Sequence, residues 1–132
     1  MEEHLPLDDR QRKLIRVFLI EFKRIATEGR GIDFVPRPDN LDALSELGLT
    51  FGNARDEIMA LSVTDYCDGP EDDRDKPGDI WVFGQEIEGK EVYITLKVAS
   101  VGDEKLAKCI SFHISRRPLR FPYRSPNGRS KK

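Results

Sequence analysis

Residues 80–114, IWVFGQEIEGKEVYITLKVASVGDEKLAKCISFHI, decide the fold of this chain. Apolar and polar residues alternate along the middle and the end of the stretch, and such alternation is typical of strands with one buried face. The pairs Glu88-Gly89 and Gly102-Asp103 are turn residues of the kind that join antiparallel strands. The sequence therefore predicts three consecutive strands, at Ile80–Ile87, Glu91–Val98 and Lys105–Ile114.

The alternation also assigns the side chains of these strands to an apolar and a polar face. Along the last strand it separates Ile110, Phe112 and Ile114 from Cys109, Ser111 and His113. If the apolar sets of the last two strands share one side of the sheet, Tyr93 pairs with Ser111 or His113, and Gly84 lies beside Tyr93. A glycine at that point leaves room for a ligand or another backbone. The expected polar face gathers Tyr93, Thr95, Lys97, Ser111 and His113.

The residues ahead of these strands mainly predict helices. Apolar residues recur every three or four positions from Asp8 to Glu28, which indicates an amphipathic helix that lies on the sheet. A short strand is expected at Ile32–Val35, followed by two short helices at Asn40–Leu47 and Gly52–Leu61. Ser62–Asp79 is predicted as a loop because it contains glycines and prolines and few apolar residues. The expected fold is α+β, with a central, mostly antiparallel sheet packed by an N-terminal helix and two short helices.

Charge is distributed unevenly along the chain. The 132 residues suit a single domain, 1–132, and residues 105–132 hold nine Lys or Arg and no Asp or Glu. Because the net charge of the whole chain is −2 and this part contributes +9, residues 1–104 carry −11. A basic tail from about residue 116 fits a polyanionic or acidic partner, or else a solvated end. Seven acidic residues lie within Asp65–Asp79, but the pattern of an EF-hand is missing, so no metal site is predicted.

The compartment is inferred from the N-terminus and the cysteines. Met1–Asp9 is acidic and does not resemble a signal peptide, and the longest apolar-rich run, Leu14–Ile20, is interrupted by Arg16. The protein is therefore expected in the cytoplasm, without a membrane contact. Cys67 and Cys109 lack the spacing of a zinc site and are expected to be reduced thiols. No cofactor is predicted.

The polar face carries the side-chain types that RNA cleavage without a metal requires. Attack by a 2'-hydroxyl on the adjacent phosphate needs a proton acceptor, a proton donor for the leaving 5'-oxygen and positive charge near the phosphate. Imidazole titrates near neutrality, so His113 is the candidate acid or base, and Tyr93 could donate a proton or stack on a base. Lys97, Arg116 and Arg117 are candidate phosphate ligands. Ordinary packed or solvated positions explain these residues about equally well.

Four blocks of the sequence carry a family resemblance: Tyr66-Cys67-Asp68-Gly69-Pro70, Gly78-Asp79-Ile80-Trp81-Val82-Phe83-Gly84, Glu91-Val92-Tyr93-Ile94-Thr95-Leu96-Lys97 and Cys109-Ile110-Ser111-Phe112-His113. With Leu47-Gly48-Leu49 and Leu61-Ser62 ahead of them, they resemble the MqsR-like toxins of bacterial toxin-antitoxin pairs, small endoribonucleases of RelE-like fold. The resemblance extends from about Gly29 to Tyr123. It implies cleavage of messenger RNA without a metal, and a cognate antitoxin with zinc-binding and helix-turn-helix DNA-binding regions.

The resemblance also implies which residues form the site. The family's strand tyrosine falls on Tyr93 and its basic residue after Ser-Phe on His113, so these two are the first catalytic candidates, with Lys97 as the third. The predicted RNA-binding residues are Tyr66, Thr95, Arg116, Arg117 and Arg120. The family usually has lysine at the position of Asp68, and many members have lysine at that of Thr95, so the alternative function is a catalytically weak module that binds an antitoxin-like partner. A ribosome-dependent nuclease, whose basic tail holds ribosomal RNA, is a third possibility.

Overall fold

The computed structural model describes residues 4–124, with side chains from Asp9 onward. Within this range there are three α-helices and five strands, so the predicted α+β architecture is confirmed. Residues 125–132, which complete the predicted basic tail, lie outside the described range. The helices are α1 (His4–Glu28), α2 (Pro38–Leu47) and α3 (Phe51–Met59). The strands are β1 (Ile32–Phe34), β2 (Tyr66–Asp72), β3 (Asp79–Ile87), β4 (Lys90–Val101) and β5 (Glu104–Ile114).

The five strands form a sheet in the order β1-β5-β4-β3-β2. The two predicted turns join β3 to β4 and β4 to β5 as antiparallel pairs, while β1 runs parallel to β5 and β2 antiparallel to β3. Glu88 and Gly89 have φ values of 52° and 79°. A two-residue hairpin turn of this class requires positive φ at both positions, which glycine adopts without strain.

Helix α1 covers one face of the sheet. Its predicted apolar stripe is buried, and the Phe18 ring stacks on Trp81 of β3 with centroids 4.9 Å apart. Burial of this stripe, rather than helix propensity, stabilises such a helix in a protein of this size. The opposite face of the sheet, called the open face below, carries Tyr93 and its neighbours. None of the helices described is both long enough and apolar enough to span a bilayer.

The loop predicted over Ser62–Asp79 is wrong for the first part of that segment. After a 3-10 turn at Val63–Asp65, β2 pairs with β3, although the register shifts between Tyr66 and Asp68 and again between Asp68 and Glu71. A proline and an irregular register are tolerated here because β2 is an edge strand, whose outer backbone groups need no partner in the sheet. Gly, Pro and acidic residues therefore do not distinguish this edge strand from a loop.

The predicted assignment of faces is wrong beyond a bulge in β5. Thr95 pairs with Ser111, but the next pair is Leu96 with Cys109, so Ile110 is an extra residue. Period-2 alternation fails across an inserted residue. Cys109, predicted on the polar face, is consequently fully buried in the core.

Candidate active site

Tyr93 lies on the open face with one neighbour on each adjacent strand. Its cross-strand partner on β3 is Gly84 and its partner on β5 is His113. The predicted register around Tyr93 is therefore confirmed. Strand pairing alone brings the first two catalytic candidates together.

The side chains of Tyr93 and His113 are in ring contact. Their centroids lie 5.2 Å apart with the planes at 27°, and both residues are half-buried. His113 Nδ1 lies 3.2 Å from the carbonyl oxygen of Ile114. Because a carbonyl oxygen can only accept, this hydrogen bond places the proton of a neutral imidazole on Nδ1 and leaves a lone pair on Nε2.

Tyr93 has an acidic neighbourhood on the side of β2. Burial raises the pKa of its phenol above the ordinary value, and the carboxylates of Glu71 and Asp68 raise that pKa further. The Tyr93 hydroxyl therefore keeps its proton at neutral pH and can serve as a donor rather than as a base.

Two arginines follow His113 closely after β5 ends. Arg116 and Arg117 are exposed and form no ion pair with any residue that the structure describes. Together with Tyr93 and His113 they line a cavity of about 400 Å³, completed by Ser115, Pro118 and Leu119. Arg120, also predicted to bind RNA, is exposed but is not part of this lining.

A second cavity, of about 290 Å³, lies on the other side of His113. Its lining includes the acidic residues Asp39, Asp42 and Glu46 of α2, together with Arg116. His113 thus lies between a basic surface and an acidic one. Electrostatics favours an anionic ligand on the side of Arg116 and Arg117.

Lys97, the third catalytic candidate, is not near Tyr93 and His113. It lies four positions further along β4 than Tyr93, a distance of about 13 Å. Lys97 is 2% exposed, and its Nζ lies 2.6 Å from Asp73 Oδ2. Its ammonium is therefore neutralised by a carboxylate at the far end of the open face, and the structure does not bring it to the histidine.

Two of the predicted RNA-binding residues are buried. Tyr66 packs in the core with its ring 6.2 Å from that of Phe83, and its hydroxyl donates to the carbonyl oxygen of Gly69 at 2.6 Å. Thr95 lies on the open face beside Ser111 but is only 5% exposed. Neither side chain is presented to a large ligand.

The segment Arg116–Arg124, called the C-terminal strap, crosses the open face over Gly84. A Cβ atom added to Gly84 would lie 2.5 Å from Leu119 Cδ1 and 2.9 Å from Phe121 Cζ. The room predicted beside this glycine is thus occupied by the protein's own chain. The aromatic residues after Arg117 were the available sequence signal, because a solvated tail would not need them.

Polar and aromatic contacts hold the strap at both ends. The Leu119 N–H donates to Glu91 Oε1 at 2.9 Å, and Arg124 Nη2 lies 3.0 Å from Asp65 Oδ1. The Tyr123 ring contacts that of Tyr66 at a tilt of 44°, with centroids 5.9 Å apart, and its hydroxyl hydrogen-bonds to the side chain of Gln11 on α1. The strap therefore runs from the end of β5 to the edge of the sheet beside α1.

Neither a search for metal-binding clusters nor comparison with other proteins assigns further residues to this site. Among the described side chains, no three His, Cys, Asp or Glu converge closely enough to hold a metal ion. Comparison of the chain with protein-family models, with curated proteins and with solved structures finds no match. The resemblance to MqsR-like toxins therefore stays a prediction, and the functional argument rests on the contact between Tyr93 and His113 beside two unpaired arginines.

Proposed function

We propose that the protein is an endoribonuclease that cleaves RNA by attack of a 2'-hydroxyl on the adjacent phosphate, without a metal. The observation that carries the proposal is the stacked pair of Tyr93 and His113 in a cavity lined by Arg116 and Arg117. A proton acceptor, a proton donor and positive charge are the groups that this reaction needs, and the cavity holds one or more of each.

The two protonation states suggest separate roles for Tyr93 and His113. The lone pair on His113 Nε2 takes the proton of the 2'-hydroxyl as its oxygen bonds to phosphorus. The Tyr93 phenol, whose pKa is raised, donates a proton or a hydrogen bond to the leaving 5'-oxygen as the phosphorus–oxygen bond breaks. The products are a 2',3'-cyclic phosphate and a 5'-hydroxyl, which balance the atoms of the substrate.

Arg116 and Arg117 supply the positive charge near the phosphate. Both are exposed, so each is worth less to a developing oxyanion than a cation buried in the cavity would be. Lys97 is about 13 Å away along the strand and is held by Asp73, so it does not add to their charge at the scissile phosphate. We therefore expect a slow nuclease.

The test compares His113→Ala and Tyr93→Phe with the unmodified protein on a long single-stranded RNA, with EDTA present and with or without ribosomes. Each variant should cleave about a hundredfold more slowly, because proton transfer by a positioned side chain contributes about that much. The 3' ends should carry cyclic phosphate. Exposed Lys105→Gln, at the opposite end of β5 from His113, is the control that should cleave normally.

Three results would overturn the proposal. Cleavage that needs a divalent cation would exclude the mechanism, and 3'-hydroxyl ends would exclude attack by the 2'-hydroxyl. Unchanged rates in both variants, with circular dichroism of a folded protein, would remove Tyr93 and His113 from the reaction.

A second candidate function is a catalytically weak binding module that pairs with an antitoxin-like protein. The observation that favours it is the strap, since Leu119 and Phe121 fill the space over Gly84 next to Tyr93. In this case the purified protein binds a zinc-binding, helix-turn-helix partner supplied with it but releases no RNA fragments under single-turnover conditions. Cleavage that depends on His113 would rule this candidate out.

A further inference from the structure

A second group of cations surrounds a cavity at the other end of the open face. The cavity has a volume of about 180 Å³. Its cations come from separate parts of the chain: Arg37 precedes α2, Lys76 lies between β2 and β3, Lys97 is on β4 and Lys108 is on β5. The remaining lining residues are Val35, Asp73, Asp75, Ile80 and Ile110. Four cations against two carboxylates favour an anionic ligand.

Lys97 forms the inner wall of this cavity. Its side chain is 3% exposed, yet the only hydrogen-bond acceptor of its ammonium among the described residues is Asp73 Oδ2 at 2.6 Å. An ammonium group has three donors. A buried lysine with a single carboxylate partner can therefore donate to a further anion that enters the cavity.

Asp73 and Asp33, two acidic residues at this end, already interact with neighbouring groups. Asp73 accepts from Lys97 through Oδ2 and from the backbone N–H of Asp75 through Oδ1. The hydrogen bond from Lys97 is the main reason why the pKa of Asp73 is lowered. Lys108 contacts Asp33 at 3.4 Å. Arg37 and Lys76 are exposed and form no ion pair with the described residues, so their charge is available to a ligand.

The bulge in β5 contributes to this arrangement. Lys108 pairs directly with Lys97 across the strands, although cations at facing positions repel each other. The carboxylate of Asp73 forms an ion pair with Lys97, and that of Asp33 forms one with Lys108. Lys97 and Lys108 place positive charge at the floor of the cavity, on the sheet. Arg37 and Lys76 add positive charge at the exposed edge of the cavity.

We propose that this cavity binds a backbone phosphate of the RNA, beyond the scissile phosphate at Tyr93 and His113. The inference rests on the proposed function for the identity of the ligand as RNA. The cavity and Tyr93 are about 13 Å apart along β4, a length that a di- or trinucleotide spans. Lysine binds phosphate as a point charge, and cations from four segments suit a tetrahedral group approached from several directions.

The experiment uses a 2'-O-methyl RNA oligonucleotide, which the proposed reaction cannot cleave. Its affinity is measured by fluorescence anisotropy over a range of salt concentrations for the full chain and for the double variant Arg37→Gln/Lys76→Gln. Neither side chain caps α2 or enters the core, so the variant should fold. We expect about a tenfold loss of affinity at moderate salt, and a fall of about 1.4 in the slope of log affinity against log salt for two lost contacts.

The matched control is Lys90→Gln/Lys105→Gln, which removes the same charge from exposed lysines that pair with Glu46 and Glu21. Its salt slope should not change. An equal loss of affinity in the control and the test variant would overturn the proposal, because net charge would then explain the effect. An unchanged affinity in a folded test variant would overturn it as well.

Two further measurements separate the possible failures. Inorganic phosphate tests whether the cavity binds free phosphate instead of RNA. In that case phosphate raises the melting temperature of the unmodified protein but not of the Arg37→Gln/Lys76→Gln variant, while the two proteins bind RNA with equal affinity. This combination of results would overturn the RNA proposal. His113→Ala tests the independence of the two sites, since it should slow cleavage about a hundredfold without changing the anisotropy result. Binding through the cavity by a protein that cleaves no RNA would leave this inference standing and overturn the proposed function.

Discussion

At the scale of single residues, Asn40 fixes the geometry on which both ends of the open face depend. Its side chain is fully buried. The Nδ2 group donates to the carbonyl oxygens of Val35 at 2.8 Å and Ile110 at 2.9 Å, and Oδ1 accepts from the backbone N–H of Phe112 at 2.9 Å. Asn40 thus joins the bulge in β5 to the residue that follows β1 and satisfies backbone groups of both.

Replacing Asn40 with alanine should destabilise the fold by about 2–4 kcal/mol. The substitution leaves a backbone N–H and two carbonyl groups without this partner, and an unsatisfied buried group costs about 1–3 kcal/mol. Urea denaturation followed by circular dichroism measures the loss. Asn53→Ala, which breaks the capping box at the exposed start of α3, is the control and should cost about 1 kcal/mol. A loss for Asn40→Ala no larger than the control's would show that the bulge does not need this side chain.

Residues on the two sides of the bulge show what the alternation of apolar and polar residues can and cannot predict. The pairing of Tyr93 with His113 follows from the sequence because the apolar residues Ile94 and Phe112, which share the buried face, lie next to them on the same side of the bulge. The burial of Cys109 does not follow, because the inserted residue Ile110 reverses the face assignment of the residues between the bulge and the Gly102-Asp103 turn. The signal that could have located the bulge is Asn40, a polar residue at a helix start, and its three partners are visible only in three dimensions.

At the scale of elements, composition predicts a loop where β2 forms and does not show that the strap packs on the sheet. Edge strands and loops share prolines, glycines and charges, because both must avoid pairing with other chains. The strap is basic like a solvated tail, but Leu119, Phe121 and Tyr123 pack on the protein. The sequence predicts the three central strands and α1 because their periodicity reflects burial on one face, whereas β2 and the strap depend on contacts distant in sequence.

Gly84 determines whether the strap can lie on β3, so enlarging it should release the strap. Gly84→Val places branched methyl groups where Leu119 and Phe121 now lie, and the backbone of Gly84 needs no positive φ. The measurement is limited trypsin digestion, with cleavage of the Arg120–Phe121 bond followed by mass spectrometry. We expect cleavage to accelerate at least tenfold in Gly84→Val and less in Gly84→Ala, because Leu119 Cδ1 is the end of a flexible side chain and can move.

The control for this measurement is Gly52→Ala on the exposed surface of α3, where an added Cβ meets only Thr50 Oγ1 at 3.6 Å. It should not change the digestion of the strap. If Gly84→Val were cleaved at the unmodified rate while remaining folded, the contact with Gly84 would not be what holds the strap. The contacts of Leu119 with Glu91, Tyr123 with Gln11 and Arg124 with Asp65 would then be the remaining anchors.

At the scale of the whole molecule, the two faces of the sheet have different roles: one packs against α1 and stabilises the fold, and the other carries the proposed binding sites. Helix α1 closes one face, and the open face has exposed cations at both of its ends, Arg116 and Arg117 at one and Arg37 and Lys76 at the other. Under the two proposals above, RNA spans these two ends of the open face, and the carboxylates of β2 disfavour it at the neighbouring edge. The sequence places the candidate phosphate ligands in the tail and at Lys97. It does not indicate Arg37, Lys76 or Lys108, because these cations are scattered along the chain.

The last prediction separates the charge of the strap from its packing. Replacing Arg116, Arg117 and Arg120 with glutamine removes three exposed cations and should lower the salt slope of RNA binding by about 2, at about 0.7 for each phosphate contact. A chain ending at Ser115 also loses the packing of Leu119, Phe121 and Tyr123, so it should in addition lose roughly 2–4 kcal/mol of stability. Tighter RNA binding by the shortened chain, at unchanged stability, would contradict both expectations. The strap would then act as a cover that competes with RNA for the face beside Tyr93.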